Sequence, residues 1–456
     1  MAWVRVVAAV VAMAVAGVVA WGQTGTLPVM YIETEGHRAI TSKTVYLPAN
    51  YFIVDTHNAA NNVGSQAGPL PLEIRGRGHS SWRGTKKPYK IKLAEKTPLL
   101  GMNKHKHWAL LKFYEPTVAG LELGKMMGME WTASTRPVEV VLNGANLGLY
   151  LLTETNRISK NRLDIYEQPN WNEDAESIPY GWLVEVDNYP EPNQITVREN
   201  NEWLLRLTYH SPDSLSDAQH DWLMREFREI NEAVYDTDKT SGRWEQLIDV
   251  EAMARYFIIQ ELLDNSDGFH GSFYLHKDWS DDARWVAGPL WDLSCNQRVK
   301  TDYTFNMKTS YGFTPHWIGE LIKDEDFCRE VRHAWREFYP AQMQPWLERA
   351  ALQLRPCAAA YEREMEMWSY TNRDPLETKI TKLKSALLTN AEWFNNHLPH
   401  GVQGSVDDGL PVTRTAVRVD YVNLSGQRST RPWSGVNIRV TTYDDGSTST
   451  DKLLLP

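Results

Sequence analysis

Two aspartates, Asp267 in ELLDNSDGFHGSFYLHKD and Asp292 in WVAGPLWDL, each stand where a short apolar run gives way to polar residues. The neighbouring stretches Phe273 to Leu275 and Trp285 to Ala287 read as buried strands. A carboxylate at the end of a rigid element is held where metal and phosphate chemistry is commonly built. Taken singly, such an acid is also what a turn or a helix cap presents. The pair gains weight from a basic segment upstream, RGRGHSSWRGTKKPYKIKL. There Gly76 and Gly78 remove Cβ atoms from a turn, Arg75 adds a fixed charge, and Ser80 and Ser81 offer hydroxyls, so that backbone N–H groups can converge on an anion. Lys90 and Lys92 then alternate with Ile91 and Leu93, which places both ammonium groups on one face of a strand and the apolar pair on the other. Either lysine suits a nucleoside triphosphate, and a solvated basic face would read the same way. The glycine spacing is neither a Walker loop nor the six-residue glycine motif of kinases.

The elements that must position these residues change character along the chain. From about Leu27 to Leu152 the pattern is strand-like: Val138, Val140 and Leu142 alternate up to the turn pair Asn143-Gly144, and Leu147 to Leu152 resumes. Residues 117–129 predict a helix within this region. From Ser216 the period becomes helical. Ser216 and Gln219 form a capping box ahead of the stripe Leu223, Phe227, Ile230 and Val234. Asp249 opens a second helix that ends near Asp264, and Asp374-Pro375 opens a third with Leu376, Ile380, Leu383, Leu387 and Phe394 on one face. The expected organisation is a β-rich lobe over 27–155, a mainly helical lobe over 156–400, a Gly/Asp/Thr/Pro-rich linker over 401–415, and a small β module over 416–456.

A chain of 456 residues is long enough for two or three packed units. Its formal charge of −10 argues against a general nucleic-acid binder. Nineteen tryptophans point to a large aromatic core, with stacking surfaces for glycans as the other use of such residues. Arg5, the small apolar run Val6 to Ala20, and AWGQ around Gln23 read as a secretory signal peptide over residues 1–22, too short in its apolar part to span a bilayer. Cys295, Cys328 and Cys357 show no metal-type spacing and permit at most one disulfide. His105 and His107 share a strand face, but without a third ligand nearby a structural or surface role is expected.

The order of glycine turn, strand lysine, helix, helical region, Asp267 and Asp292 matches what phosphoryl transfer requires, although neither HRD nor DFG occurs. On that order Asp267 and Asn265 belong to a catalytic loop, and Asp292 is a metal ligand about two dozen residues later. The segments IRGRGHSSWRGTKKPYKIKL, LLGMNKHKHWALL, VEVVLNGANLGLYLLTETNRISKNRLDI, GWLVEVDNY, QELLDNSDGFHGSFYLHKD and VAGPLWDL together resemble the spore-coat protein H (CotH) kinase family. The resemblance implies an α+β, atypical protein-kinase-like fold of two lobes that binds ATP with Mg²⁺ and phosphorylates Ser or Thr of proteins outside the cytoplasm. It implies Asp267 as the catalytic acid, Asp292 with Asn265 at the metal, and Lys90 or Lys92 at the nucleotide. Two departures stand out. Ser294 replaces a second acid common in the family's W-D-F-D block, and the helix after LLKFYE looks one turn short, leaving Glu122 as the candidate partner of the lysine. YVNLSGQRSTRPWSGVNIRV resembles the sorting domain of the bacterial type IX secretion route, which implies a contact with secretion machinery and a secreted or cell-surface location. Two functions follow as expectations: an exported ATP-dependent protein kinase, or an inactive kinase-like surface protein that binds partner proteins or glycans.

Overall fold

Alternation in the first third of the chain closes a barrel. The computed structural model describes residues 27–187, 189–199, 202–306, 317–401, 416–423, 426–443 and 448–455. The expected signal peptide over 1–22 and nearly all of the expected linker over 401–415 lie outside these residues. The chain divides into two compact units, residues 1–403 and 404–456.

Seven strands, β1 (Val29–Thr34), β2 (Leu47–Val54), β3 (Leu70–Gly76), β4 (Tyr89–Thr97), β5 (His105–Lys112), β6 (Thr135–Leu142) and β7 (Ala145–Glu154), run around the barrel in the order β1-β2-β3-β4-β5-β7-β6. Parallel pairing of β6 with β1 closes it. Ile32, Ile53, Ile74, Ile91, Trp108, Val138 and Tyr150 fill the interior, so the residues between them on each strand must face outwards. The β6–β7 hairpin turns through Asn143 and Gly144, both at positive φ, as an Asn-Gly pair with this flanking alternation predicts. Between β3 and β4 lies the short helical turn α1 (Ser80–Arg83), and α2 (Glu115–Met126) follows β5.

The rest of the first unit is built on a second, antiparallel sheet of β8 (Trp182–Val186), β9 (Gln194–Glu199), β10 (Glu202–Ser211), β11 (Phe273–Lys277) and β12 (Val286–Ala287), in the order β12-β11-β8-β10-β9. No strand is expected from the sequence between Glu154 and Pro212. The reason is burial: all five residues of β8 are buried, so the period-two signal is erased. Helices α3 (Asp217–Val234) and α4 (Val250–Leu263) pack on this sheet, α5 (Ile318–Leu321), α6 (Glu325–Phe338), α7 (Met343–Leu354) and α9 (Leu376–Asn396) complete the helical part, and α8 (Ala358–Met367) lies against β7 of the barrel. The Ser216–Gln219 capping box is formed at the start of α3. Helix α4 is apolar nearly all round and lies at the centre, with Phe257 packed against Phe269, Phe327 and Phe394. Trp108, Trp182, Trp285, Trp335 and Trp346 are fully buried, whereas Trp171 and Trp279 are exposed. The three cysteines are free and buried, with thiols pushed up to about 12 by burial. Among the described residues no helix is long and apolar enough to cross a membrane. The second unit is a four-stranded antiparallel sheet of β13 (Ala416–Asn423), β14 (Arg428–Ser429), β15 (Gly435–Tyr443) and β16 (Thr448–Leu455), in the order β14-β13-β15-β16.

A buried ion pair fastens the barrel to α8. Lys86 donates to Glu364 at 2.5 Å and to the Leu149 carbonyl at 2.6 Å, while Glu364 also accepts from the Leu149 N–H and the Tyr370 hydroxyl. Both side chains are almost completely buried, so each depends on the other for its charge to be tolerated. Lys86→Met is therefore expected to destabilise the protein by about 3–5 kcal/mol, because it strands a buried carboxylate. Lys86→Met combined with Glu364→Leu should recover part of that loss. Urea unfolding measures both, and a single mutant within about 1 kcal/mol of wild type would refute the role given to the pair.

Candidate active site

Helix α4 delivers the first aspartate. Its N-terminus is capped by Asp249, whose side chain accepts from the Ala252 N–H at 2.8 Å, and it stops at Asp264 in the left-handed conformation. Asp264 is fully buried and held from several directions. Arg298 approaches at 2.7 Å, Lys300 at 3.3 Å, and the Thr304 hydroxyl donates at 3.0 Å. Lys300 is itself fully buried and pairs with Glu261 at 2.8 Å, one helical turn back. With its end anchored in this way, the chain turns tightly over residues 265–271: Gly268 N–H donates to the Asn265 carbonyl, Gly271 N–H to the Asp267 carbonyl, and the Tyr256 hydroxyl to the Gly268 carbonyl. A side chain at Gly268 would collide with Gln260. Asp267 projects from the tip of this turn, its carboxylate open to solvent although protein crowds one side. His270 Nε2 lies 3.6 Å from Asp267 Oδ1.

Asp292 is delivered by the segment that follows β12. Two glycines of α2, one turn apart, let this segment approach the helix closely. A Cβ on Gly120 would meet Leu293 at 2.6 Å, and one on Gly124 would overlap Leu290. The Thr117 hydroxyl adds a bond to the Leu293 carbonyl at 3.4 Å. Asp292 takes a positive φ and presents an exposed carboxylate. It is close enough to Asp267 that its charge, after burial, helps hold the Asp267 carboxyl above the usual range.

Cations converge on the same place. Arg77 lies over the Trp291 ring at 5.2 Å, and its charge is disfavoured by burial but supported by Asp292, Tyr274 and Glu185. The Glu185 carboxylate lies 2.7 Å from His210 Nε2 and accepts a hydrogen bond from the Tyr274 hydroxyl. Lys90 is pushed down to about 7, first by burial and then by Arg157, Arg75 and Arg77. It makes no hydrogen bond or ion pair among the described residues. A half-buried cluster of Lys90 with Arg75, Arg77 and Arg157, in which Asp213 pairs with Arg157 at 3.4 Å and lends Lys90 some support, suits an anion by its chemistry.

The structure thus separates the two strand lysines. Lys90 sits opposite Arg75 and inside the cluster, whereas Lys92 pairs with Glu73 at 3.1 Å with both side chains largely exposed. Arg75 contributes charge, but its guanidinium donates to the Lys43 carbonyl and lies over Tyr46. The glycine turn is built otherwise than an anion cradle requires. The N–H groups of Gly76 and Arg77 are used by the Ser42 and Pro88 carbonyls, and Gly76 is needed because the Trp82 ring lies where its Cβ would be. Ser80 and Ser81 lie in α1, beyond Gly78 at positive φ. Asn265 is buried, with Nδ2 donating to Gln260 Oε1 at 2.9 Å and Oδ1 accepting from Ser294 Oγ at 2.7 Å. It positions the loop, and Ser294 ties the Asp292 segment to the Asp267 loop. Glu122 pairs with Lys125 at 3.0 Å and is not the partner of a strand lysine. His105 and His107 are held neutral, at about 4 and about 3, by burial and by neighbouring cations that include Arg162 at the first and Arg157 and Lys90 at the second. Neither belongs to a group of three candidate metal ligands among the described residues.

Arg77, Arg157 and Glu185 were not singled out from the sequence. Arg77 had a signal, since it shares strand parity with Arg75 two residues earlier, and Glu185 had another as the one acid inside the apolar strand WLVEV. Arg157 had none. Among known proteins, the family described as CotH kinase protein matches residues 73–397 of this chain. No curated protein matches it.

Two substitutions separate what the site does from what holds it. Asp267→Asn removes a crowded like charge and is expected to leave the melting temperature unchanged or raised. Lys300→Met leaves Glu261 and Asp264 buried without their cation and should cost about 3–5 kcal/mol. Thermal and urea unfolding read both, and a clearly destabilised Asp267→Asn protein would contradict the electrostatics described.

Proposed function

The chain belongs to the CotH kinase family, and from that premise we propose that it is an exported protein kinase that transfers the γ-phosphoryl group of ATP to Ser or Thr hydroxyls of extracytoplasmic proteins. The observation that carries this reading is that Asp267 and Asp292 lie within reach of each other's charge, that Arg77 is reached by the charge of Asp292, and that Lys90 lies within reach of Arg77. In this reading the barrel region, 27–155, is the nucleotide lobe and 156–400 the catalytic lobe of a kinase-like pair. The signal peptide over 1–22 and the module over 416–456, through secretion machinery, take the protein to the cell surface or beyond it.

The residues present fit both groups that the reaction needs. Lys90 and Arg77 offer positive charge to phosphate oxygens. Asp292, with the charge of Asp267 beside it, suits Mg²⁺, which would neutralise charge on the phosphates when bound. Asp267 orients the incoming hydroxyl and accepts its proton as the oxygen–phosphorus bond forms and ADP departs. Its raised pKa makes it a stronger base than an ordinary aspartate. Asn265, Ser294 and the buried Glu261–Lys300–Asp264 group keep the loop in place while this happens. Ser294 also supports a second reading, an inactive kinase-like protein that binds partner proteins or glycans, because a hydroxyl spent on Asn265 replaces the second acid of the family's W-D-F-D block.

Purified mature protein with labelled ATP and Mg²⁺ decides between them. Wild type is expected to label itself or an extracellular protein, and Asp267→Ala and Asp292→Ala are expected to lose at least a hundredfold in rate. ATP binding without transfer would establish the second reading, and absence of both would overturn the first. Nucleotide binding should also depend on pH in a defined sense. Lys90 loses its proton near pH 7 in the free protein, and a bound phosphate restores it. Binding above pH 7 should therefore take up a proton, with affinity falling up to about tenfold per pH unit. Calorimetry in buffers of different ionisation heat is expected to show this uptake in wild type and Lys92→Met, but not in Lys90→Met.

A further inference from the structure

A second cluster of ligand-type side chains involves neither Asp267 nor Asp292. His79 follows the glycine turn after β3, and Asp187 and Glu191 lie in the connection from β8 to β9. One ligand atom from each comes within 4.8 Å of the others. We propose that His79, Asp187 and Glu191 form a binding site for a divalent transition-metal ion of the zinc type, which clamps the glycine turn to the β8–β9 connection.

Three features orient the donors. The Tyr189 ring stacks on the imidazole of His79 with centroids 4.2 Å apart and planes at 11°, which leaves Nε2 facing Glu191 Oε1 at 2.9 Å. Gly78, at a φ of 82°, sets the backbone just before His79, and a side chain there would overlap Ser81. Asp187 is buried, and its Oδ1 accepts from the Tyr189 N–H at 3.0 Å. Backbone donation to a ligating carboxylate is the kind of outer support that fixes metal ligands. His79 and Glu191 are each about one-third exposed, at 31% and 34%, so an ion has a way in and Glu191 has freedom to close around it.

The donor set selects the ion. Imidazole nitrogen and carboxylate oxygen are both donors that Zn²⁺ takes, with bonds of about 2.0–2.2 Å, and three protein ligands leave a fourth position for water. Mg²⁺ favours oxygen donors and retains its waters, so an imidazole counts against it. The other group of three among the described residues, Glu245, Asp324 and Asp326, lacks a nitrogen donor, and Asp324 already serves as the cap of α6 and as acceptor for Trp244. A metal on His79 would hold the turn whose Arg77, two residues earlier, reaches the charge of Asp292. Metal binding itself does not rest on the kinase reading.

The test uses the full mature chain without nucleotide. Titration with Zn²⁺ in a calorimeter is expected to show one site of micromolar affinity or tighter, with a rise in melting temperature, and Mg²⁺ at the same concentration should produce neither. His79→Ala and Glu191→Gln, both at partly exposed positions, should each weaken that site at least tenfold. Co²⁺ in place of Zn²⁺ should give a visible absorption band that both variants lose. Zn²⁺ binding that is absent in wild type, or unchanged in both variants, would overturn the proposal.

Discussion

A single buried ammonium group governs the geometry of the site. Lys300 lies in the interior between Glu261, near the end of α4, and Asp264, the residue that stops the helix. Two carboxylates cannot be buried this close without a cation between them. The Thr304 N–H and hydroxyl satisfy the remaining acceptors, and Arg298 covers the outer side of Asp264. The helix end is therefore a fixed point, and the turn that follows inherits its position. Asp267 can be exposed and still be rigid because the charge network supporting it is not exposed.

The second aspartate depends on close approach more than on charge. Gly120 and Gly124 let α2 lie against Leu290 and Leu293, so the backbone on either side of Asp292 is pinned by packing. The hydrogen bond from Ser294 to Asn265 then joins the two halves. Crowded like charges and a half-buried gathering of cations mark the place where this fold tolerates electrostatic tension, as functional sites commonly do. The opposite treatment is given to Lys86, which is more deeply buried than Lys90 and fully paired with Glu364. Local sequence does not distinguish these lysines, since both belong to the same basic run.

Much of this architecture was legible beforehand because it is coded locally. The Asn143-Gly144 turn, the Ser216–Gln219 box, the Asp249 cap and the alternation of Ile91 and Leu93 each act within a few residues, and each is found as expected. Strand β8 was missed because burial on both faces removes its period, and with it went Glu185. The glycine turn has the composition of an anion cradle, but Gly76 answers to the Trp82 ring. Glu122 was a reasonable partner for a lysine by helix position, yet it found Lys125 three residues away.

What the sequence determined by itself was the order of the parts: a strand-rich region with a basic turn, then helices, then two acids each closing an apolar run. Those features depend on spacing along the chain. Tertiary structure alone decided which charges meet. Lys90 faces a cluster and Lys92 faces solvent because the barrel brings Arg77 and Arg157 over one end of β4. Asn265 became a support for the loop because Ser294, far along the chain, came within 2.7 Å of it. Electrostatic and hydrogen-bond partners act over a few ångströms of space, and residues that meet across those distances can be separated by any length of chain.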